Sequence, residues 1–225
     1  MHIPDGYLSP QTYVPLYGVS FVFWSLALKK MKKELSIKHI PYLSMASAFS
    51  FLIMMFNIPI PGGTSGHAVG SGIIAILLGP WTAVIAVSVS LIIQAIVFGD
   101  GGITAIGANC FNMAVVMPFI SYWVFKLIRG RSLDSSRLSI AAFFSGYIGL
   151  SLAAVITGIE FGIQPMIASI DGRALYAPYP LSVALPAMVL EHMLFFGVIE
   201  GIVTVLLFRY FAKNEYDLIY ALKTS

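Results

Sequence analysis

His67-Ala68-Val69-Gly70-Ser71-Gly72-Ile73-Ile74-Ala75-Ile76-Leu77-Leu78-Gly79 is the stretch on which the fold turns. It is apolar, runs over residues 67–79, and Pro80 separates it from the next apolar segment. As a helix it would cover about 20 Å, short of the roughly 30 Å hydrocarbon core of a bilayer. It must therefore be shielded by protein, or sit beside a loop that dips inward. Around it the chain is too apolar for a soluble domain. Hydrophobic residues make up 58%, charged residues 10% and the mean hydropathy is +0.88, against about 25% charged residues in soluble proteins. The expectation is an all-α integral membrane protein in one polytopic domain over residues 1–225. Seven apolar segments are read at 11–28, 40–57, 67–79, 81–98, 103–128, 138–163 and 181–212.

Charge placement tests the count. Lys29, Lys30, Lys32, Lys33 and Lys38 follow the first segment. Lys126, Arg129, Arg131 and Arg137 surround the join between the fifth and sixth, and Arg209, Lys213 and Lys223 close the seventh. Seven spans with the N-terminus outside and the C-terminus in the cytoplasm put 12 of the 13 Lys and Arg residues inside, leaving only Arg173 outside. This is the positive-inside pattern, and omitting the short segment would break it. The net charge of +3 is too small to suggest nucleic acid, and Cys110, the single cysteine, excludes a disulfide within the chain or a cysteine-cluster metal site.

The same topology brings three unusual segments to the outer face: Met1-His2-Ile3-Pro4-Asp5-Gly6, the loop from Asn57 to His67, and Gly99-Asp100-Gly101-Gly102. His67 is the only His, Asp, Glu, Lys or Arg between Ile40 and Gly99. Pro59 and Pro61 favour extended backbone before a glycine-rich turn, whereas Gly99 to Gly102 read adequately as turn punctuation. The first 11 residues lack the basic and apolar regions of a signal peptide. Met1 is therefore expected to be the mature N-terminus, retained because His2 is bulky. A free amine followed by histidine is a chelate. The amine, the ionised His2 amide and His2 Nδ1 can share one metal ion in fused small rings. A fourth nitrogen would close a square, the geometry of Ni(II) or Cu(II).

Met1-His2-Ile3-Pro4-Asp5-Gly6-Tyr7-Leu8 and Pro61-Gly62-Gly63-Thr64-Ser65-Gly66-His67 resemble the substrate-capture (S) component of energy-coupling-factor transporters for nickel and cobalt, the CbiM/NikM family. The resemblance covers the chain in length and span number. It implies one N-terminal helix added to a six-helix core, in the inner membrane of a prokaryotic cell. It implies partnership with the lipid bilayer, a transmembrane coupling (T) component, two ABC-type ATPases and a small separate accessory membrane subunit. The implied ligands are the Met1 amine, the His2 amide and imidazole, and the His67 imidazole, holding Ni²⁺ or Co²⁺ as substrate, with nickel favoured by the flat four-nitrogen set. No catalytic cofactor is expected.

Other polar residues are secondary candidates. Asp5, Thr64, Ser65, Asn109, Glu191 and His192 could orient the ligands, though intramembrane polar groups also tie helices together. Cys110 reads as a packing residue. Ser44, Ala46, Ala48 and Ser50, small residues at helical spacing, could face the coupling subunit or pack within the monomer. No Walker A sequence occurs, so no ATPase activity is expected of the chain. An intramembrane metalloenzyme is disfavoured because no H-E-x-x-H occurs. An ion channel would want repeated polar groups along a pore, which the uncharged stretch up to Gly99 does not supply.

Overall fold

A computed structural model describes residues 1–34, 40–60 and 64–223. Lys38, Pro61-Gly62-Gly63 and the side chains of Lys33 and Thr64 lie outside the described residues. Seven helices occupy the seven apolar segments: α1 (Pro10–Glu34), α2 (Ile40–Met54), α3 (Ser71–Leu78), α4 (Pro80–Phe98), α5 (Ile106–Arg129), α6 (Ser135–Ile167) and α7 (Leu181–Asn214). A short helix α8 (Tyr220–Lys223) follows. Four of them, α4 to α7, are long and apolar enough to cross a membrane. α1 has the length but a more mixed composition, and α2 and α3 are shorter.

The strictly all-helical expectation needs two corrections. An antiparallel hairpin, β1 (Ile58–Ile60) with β2 (Thr64–Gly66), precedes His67, and a second, β3 (Ser169–Ile170) with β4 (Arg173–Ala174), follows α6. The first forms where Pro59 favours extended backbone. The second turns on Asp171-Gly172, both at positive φ, as a tight hairpin turn of the primed type requires. The third helix also starts later than residue 67. His67 to Gly70 form a buried irregular segment, and the helix itself has 8 residues, about 12 Å.

α3 is that short because protein surrounds it. Ser71 to Leu77 are all buried, and α4, α5, α6, α7 and α8 pack on it. With no lipid-facing side, it has no need of bilayer length. α1 lies against α4 and α5, fastened by Ser20 Oγ donating to the Gly107 carbonyl at 2.7 Å and Trp24 Nε1 donating to Ser88 Oγ at 2.8 Å.

The two ends of the bundle differ in chemistry. At one end Lys30 Nζ lies 4.4 Å over the Trp81 ring, Tyr220 abuts Gly79, and the buried Arg129 donates to the Ala221 carbonyl at 3.0 Å. The other end holds Met1, His67, Asp100 and Asn109, which bond to one another's segments. Three of the long helices contain π turns: Gln94–Phe98 in α4, Cys110–Val116 in α5 and His192–Phe196 in α7. Such turns insert an extra residue into the helix. In α7 this brings His192, Phe196 and Glu200 onto one buried stripe.

Candidate metal centre

The first nine residues run into the bundle as an inserted segment. Met1 is 1% exposed and Ile3 0%. Asn109 holds Ile3 from both sides, accepting from its amide at 2.9 Å and donating Nδ2–H to its carbonyl at 3.2 Å. That carbonyl also accepts from Gly102 N at 2.8 Å. The Asp5 carboxylate accepts from Ile103 N at 3.1 Å, Thr104 N at 2.8 Å and Thr104 Oγ1 at 2.5 Å. Further along, Tyr7 O accepts from Ala177 N and Ser9 N donates to Gln164 Oε1. Gly102 is needed for this approach, because a Cβ there would lie 2.3 Å from the Asp5 nitrogen. The reading of residues 99–102 as plain turn punctuation is thus corrected.

The insertion places the Met1 amine 3.4 Å from His67 Nε2, with its N–H directed to the Ser65 carbonyl. The His2 and His67 rings have centroids 4.6 Å apart, tilted by 35°. Both are buried. His67 Nδ1 is 3.0 Å from the Ala68 carbonyl. A carbonyl only accepts, so Nδ1 carries the proton and the Nε2 lone pair faces the amine. Asp100 Oδ1 lies 3.7 Å from His2 Nδ1, and its other oxygen accepts from Asn57 Nδ2 at 3.2 Å.

Burial shapes the electrostatics. Desolvation pushes the Met1 amine down to about 4 and the His2 imidazole down to about 3, and holds His67 well below its usual value. All three are therefore neutral near pH 7, the state in which nitrogen can donate to a metal. Burial raises Asp100, while hydrogen bonding by the Thr104 side chain lowers Asp5. Among the described residues no group of three or more His, Cys, Asp and Glu side chains is placed to hold a metal ion. The Met1 amine lies beside the two imidazoles as a further nitrogen at this end of the protein.

The secondary candidates separate clearly. Asn109 and Asp5 anchor the inserted segment, and Ser65 contributes its carbonyl. Of Thr64 only the backbone is described, paired with Ile60. His192 is buried with Nδ1 2.8 Å from the Met188 carbonyl, close enough to influence His67 electrostatically. Glu191, by contrast, is partly exposed and makes no hydrogen bond or ion pair among the described residues, because its place in the helix turns it off the buried stripe. The small residues of α2 divide between two faces. Ser44 and Ala48 are exposed, but Ala46 and Ser50 are buried, with Ser50 Oγ donating to the Val69 carbonyl at 2.8 Å. Ala46 and Ser50 thus pack within the chain. Cys110 is buried, as a packing residue would be.

Two further residues position the site, of which Gln94 escaped the sequence reading. Glu200 sits beneath the His67 segment, accepting from Val69 N at 2.8 Å and from Gly70 N at 3.0 and 3.1 Å. Gln94 Oε1 lies 3.1 Å from His2 Nε2. The signal for both was a long polar side chain within an apolar segment, which is expensive unless it serves a partner.

A crystal structure of a truncated transition metal transporter is 43% identical, with a TM-score of 0.91 over 95% of this chain and 99% of its own. The fused nickel transport protein NikMN of Rhodobacter capsulatus is 51% identical over 97% of this chain, which spans 64% of that protein's length. A putative metal transport protein, MJ1569, of Methanocaldococcus jannaschii is 47% identical over 97% of this chain and 94% of its own length. A cobalt transport protein, CbiM, of Lachnoclostridium phytofermentans is 34% identical over 92% of this chain and 80% of its own. Residues 2–218 match the CbiM family, described as the cobalt uptake substrate-specific transmembrane region, and the chain belongs to that family.

Proposed function

We propose that this chain captures a divalent transition metal, Ni²⁺ in preference to Co²⁺, as the substrate-specificity component of an energy-coupling-factor importer. The observation that carries the reading is the buried Met1 amine, 3.4 Å from His67 Nε2 and joined covalently to the His2 chelate. The Met1 amine, the His2 amide and His2 Nδ1 form the fused rings, and His67 Nε2 fills the fourth corner. The amide ionises only when the metal binds. A divalent ion with one ionised amide leaves one net positive charge, and Asp100 is placed to balance it. Four nitrogens in a plane suit Ni²⁺. They serve poorly Mg²⁺, which wants oxygen, and Zn²⁺, which prefers a tetrahedron.

The seven helices form seven spans, with the metal centre outside and the basic end in the cytoplasm of a prokaryotic inner membrane. A transmembrane coupling component and two ABC-type ATPases supply the energy, and a small accessory membrane subunit completes the importer. The chain itself is no enzyme. Nickel is favoured over the cobalt reading because relatives named for nickel transport reach 51% and 45% identity, against 33% and 34% for proteins named for cobalt.

The test blocks the amine. With Met1 free, purified protein should bind one Ni²⁺ with the visible spectrum of a planar nitrogen site. Adding one residue before Met1, or acetylating it, should abolish tight binding and leave the helical content unchanged. Stoichiometric nickel with the same spectrum in the blocked protein would overturn the reading. Competitive loading with Co²⁺, read by elemental analysis, decides between the two metals.

A further inference from the structure

We infer that Gln94 is a positioning residue of the metal site: its side-chain carbonyl fixes which nitrogen of His2 carries the proton. This rests on the capture reading above. Only Nδ1 of an imidazole can close a small ring with its own backbone nitrogen, so the chelate needs a bare Nδ1 and a protonated Nε2. A free histidine side chain has no such constraint, and either tautomer is open to it. Here Nε2 lies 3.1 Å from Gln94 Oε1. The orientation of the amide is itself set, because Gln94 Nε2 donates to the Phe51 carbonyl at 3.3 Å. Oε1 must therefore face His2, and an acceptor there demands Nε2–H.

The main chain of Gln94 works on the other side of the same ring. It opens the π turn of α4, and its carbonyl accepts from Gly99 N and from Asp100 N, the latter at 3.0 Å. That places the Asp100 carboxylate 3.7 Å from His2 Nδ1, where a bound cation would sit. His67 is sorted in the complementary sense by the Ala68 carbonyl, which protonates Nδ1 and bares Nε2. Two carbonyl oxygens, one from a side chain and one from the backbone, thus leave unprotonated the two ring nitrogens that the planar site needs. Gln94 is fully buried, so no water competes for its oxygen.

The experiment uses the full-length protein with a free Met1. Imidazole ¹⁵N shifts of His2 are read in the metal-free state, and Ni²⁺ affinity is read separately. The wild type should show Nε2–H alone. Gln94→Leu removes the acceptor at similar volume and should give a mixture of tautomers, with nickel binding weakened about 10- to 100-fold, the usual cost of losing the partner of a ligating histidine. Gln94→Glu keeps an acceptor at the same reach. It should retain Nε2–H and bind nickel within a few-fold of wild type, which carries the test if Gln94→Leu fails to fold. An Nδ1–H tautomer in the wild type would overturn the inference, as would unchanged tautomer and affinity in Gln94→Leu. A wild type with Nε2–H that binds no nickel would instead sink the capture reading and leave the tautomer assignment standing.

Discussion

Asn109→Leu tests whether the N-terminal segment is a docked structural element. In the wild type Asn109 accepts from the Ile3 amide at 2.9 Å and donates to the Ile3 carbonyl at 3.2 Å, and both residues are buried. Leucine matches the volume but offers neither atom. The Ile3 carbonyl keeps its bond from Gly102 N, so its loss is small. The Ile3 N–H has no such reserve. A buried donor left without a partner costs about 1–3 kcal/mol, and each 1.4 kcal/mol is tenfold. Docking should therefore weaken by roughly fivefold to 150-fold. Amide hydrogen exchange in metal-free protein reads this directly, because Ile3 exchanges only when the segment lifts away. Nickel affinity should fall by no more than the same factor, since binding needs the docked state. Asn109→Asp keeps the acceptor for the Ile3 amide and should lose less protection. Unchanged protection of Ile3 in Asn109→Leu would refute the argument that Asn109 clamps the segment.

Two further outcomes follow from the anchors around the site. Glu200→Ala strips the Val69 and Gly70 amides of an acceptor whose hydrogen bonds are worth about 1.5–3 kcal/mol each when charged; equilibrium dialysis should show nickel binding at least tenfold weaker with helicity retained, Glu200→Gln losing less, and wild-type affinity in Glu200→Ala would show that His67 needs no such support. Asp5 has a carboxyl lowered from its usual 3.8 by Thr104, so its clamp on residues 103–104 is complete above that value and is lost as pH falls through the lower folded value. Proteolysis of the N-terminal segment should therefore differ between wild type and Asp5→Asn at neutral pH and converge in acid below 3.8; a constant difference across that range would refute a role for the charged form.

Most of the helical layout was legible because long apolar runs leave few options. The segments at 81–98, 103–128 and 181–212 each lie within a few residues of the observed helices α4, α5 and α7. The start of α3 was not legible. Residues 67–70 are as apolar as those that follow, apart from His67 itself. What unwinds them is tertiary: Glu200, 130 residues further on, takes up the Val69 and Gly70 amides that a helix would otherwise have to satisfy. Periodicity cannot register a partner so distant. The hairpin of β1 and β2 was half legible, since Pro59 announced extended backbone but not its pairing partner. Among the site residues, Met1, His2 and His67 stood out by chemistry, and the structure brings them together. Gln94 did not stand out, because an amide within an apolar segment reads equally well as interhelical glue.

The placement of the π turns explains why those amides reach the N-terminal segment at all. An α-helix spends every carbonyl on the amide four residues on, and its side chains tilt toward its own N-terminus. A socket for an inserted chain needs groups that regular helix walls do not offer. In α4 the π turn opens at Gln94 and frees its carbonyl to hold Gly99 and Asp100. In α5 it opens one residue after Asn109, whose amide clasps Ile3. In α7 it opens at His192, and the extra residue aligns His192 with Glu200 under His67. Each turn trades regular hydrogen bonding for one inward polar group, and all three sit at the end of the bundle that receives Met1. Packing alone gives no reason for three such departures to gather at one end. A rigid socket for the first three residues does, because two of the proposed metal-binding nitrogens belong to a main chain that nothing else would hold still.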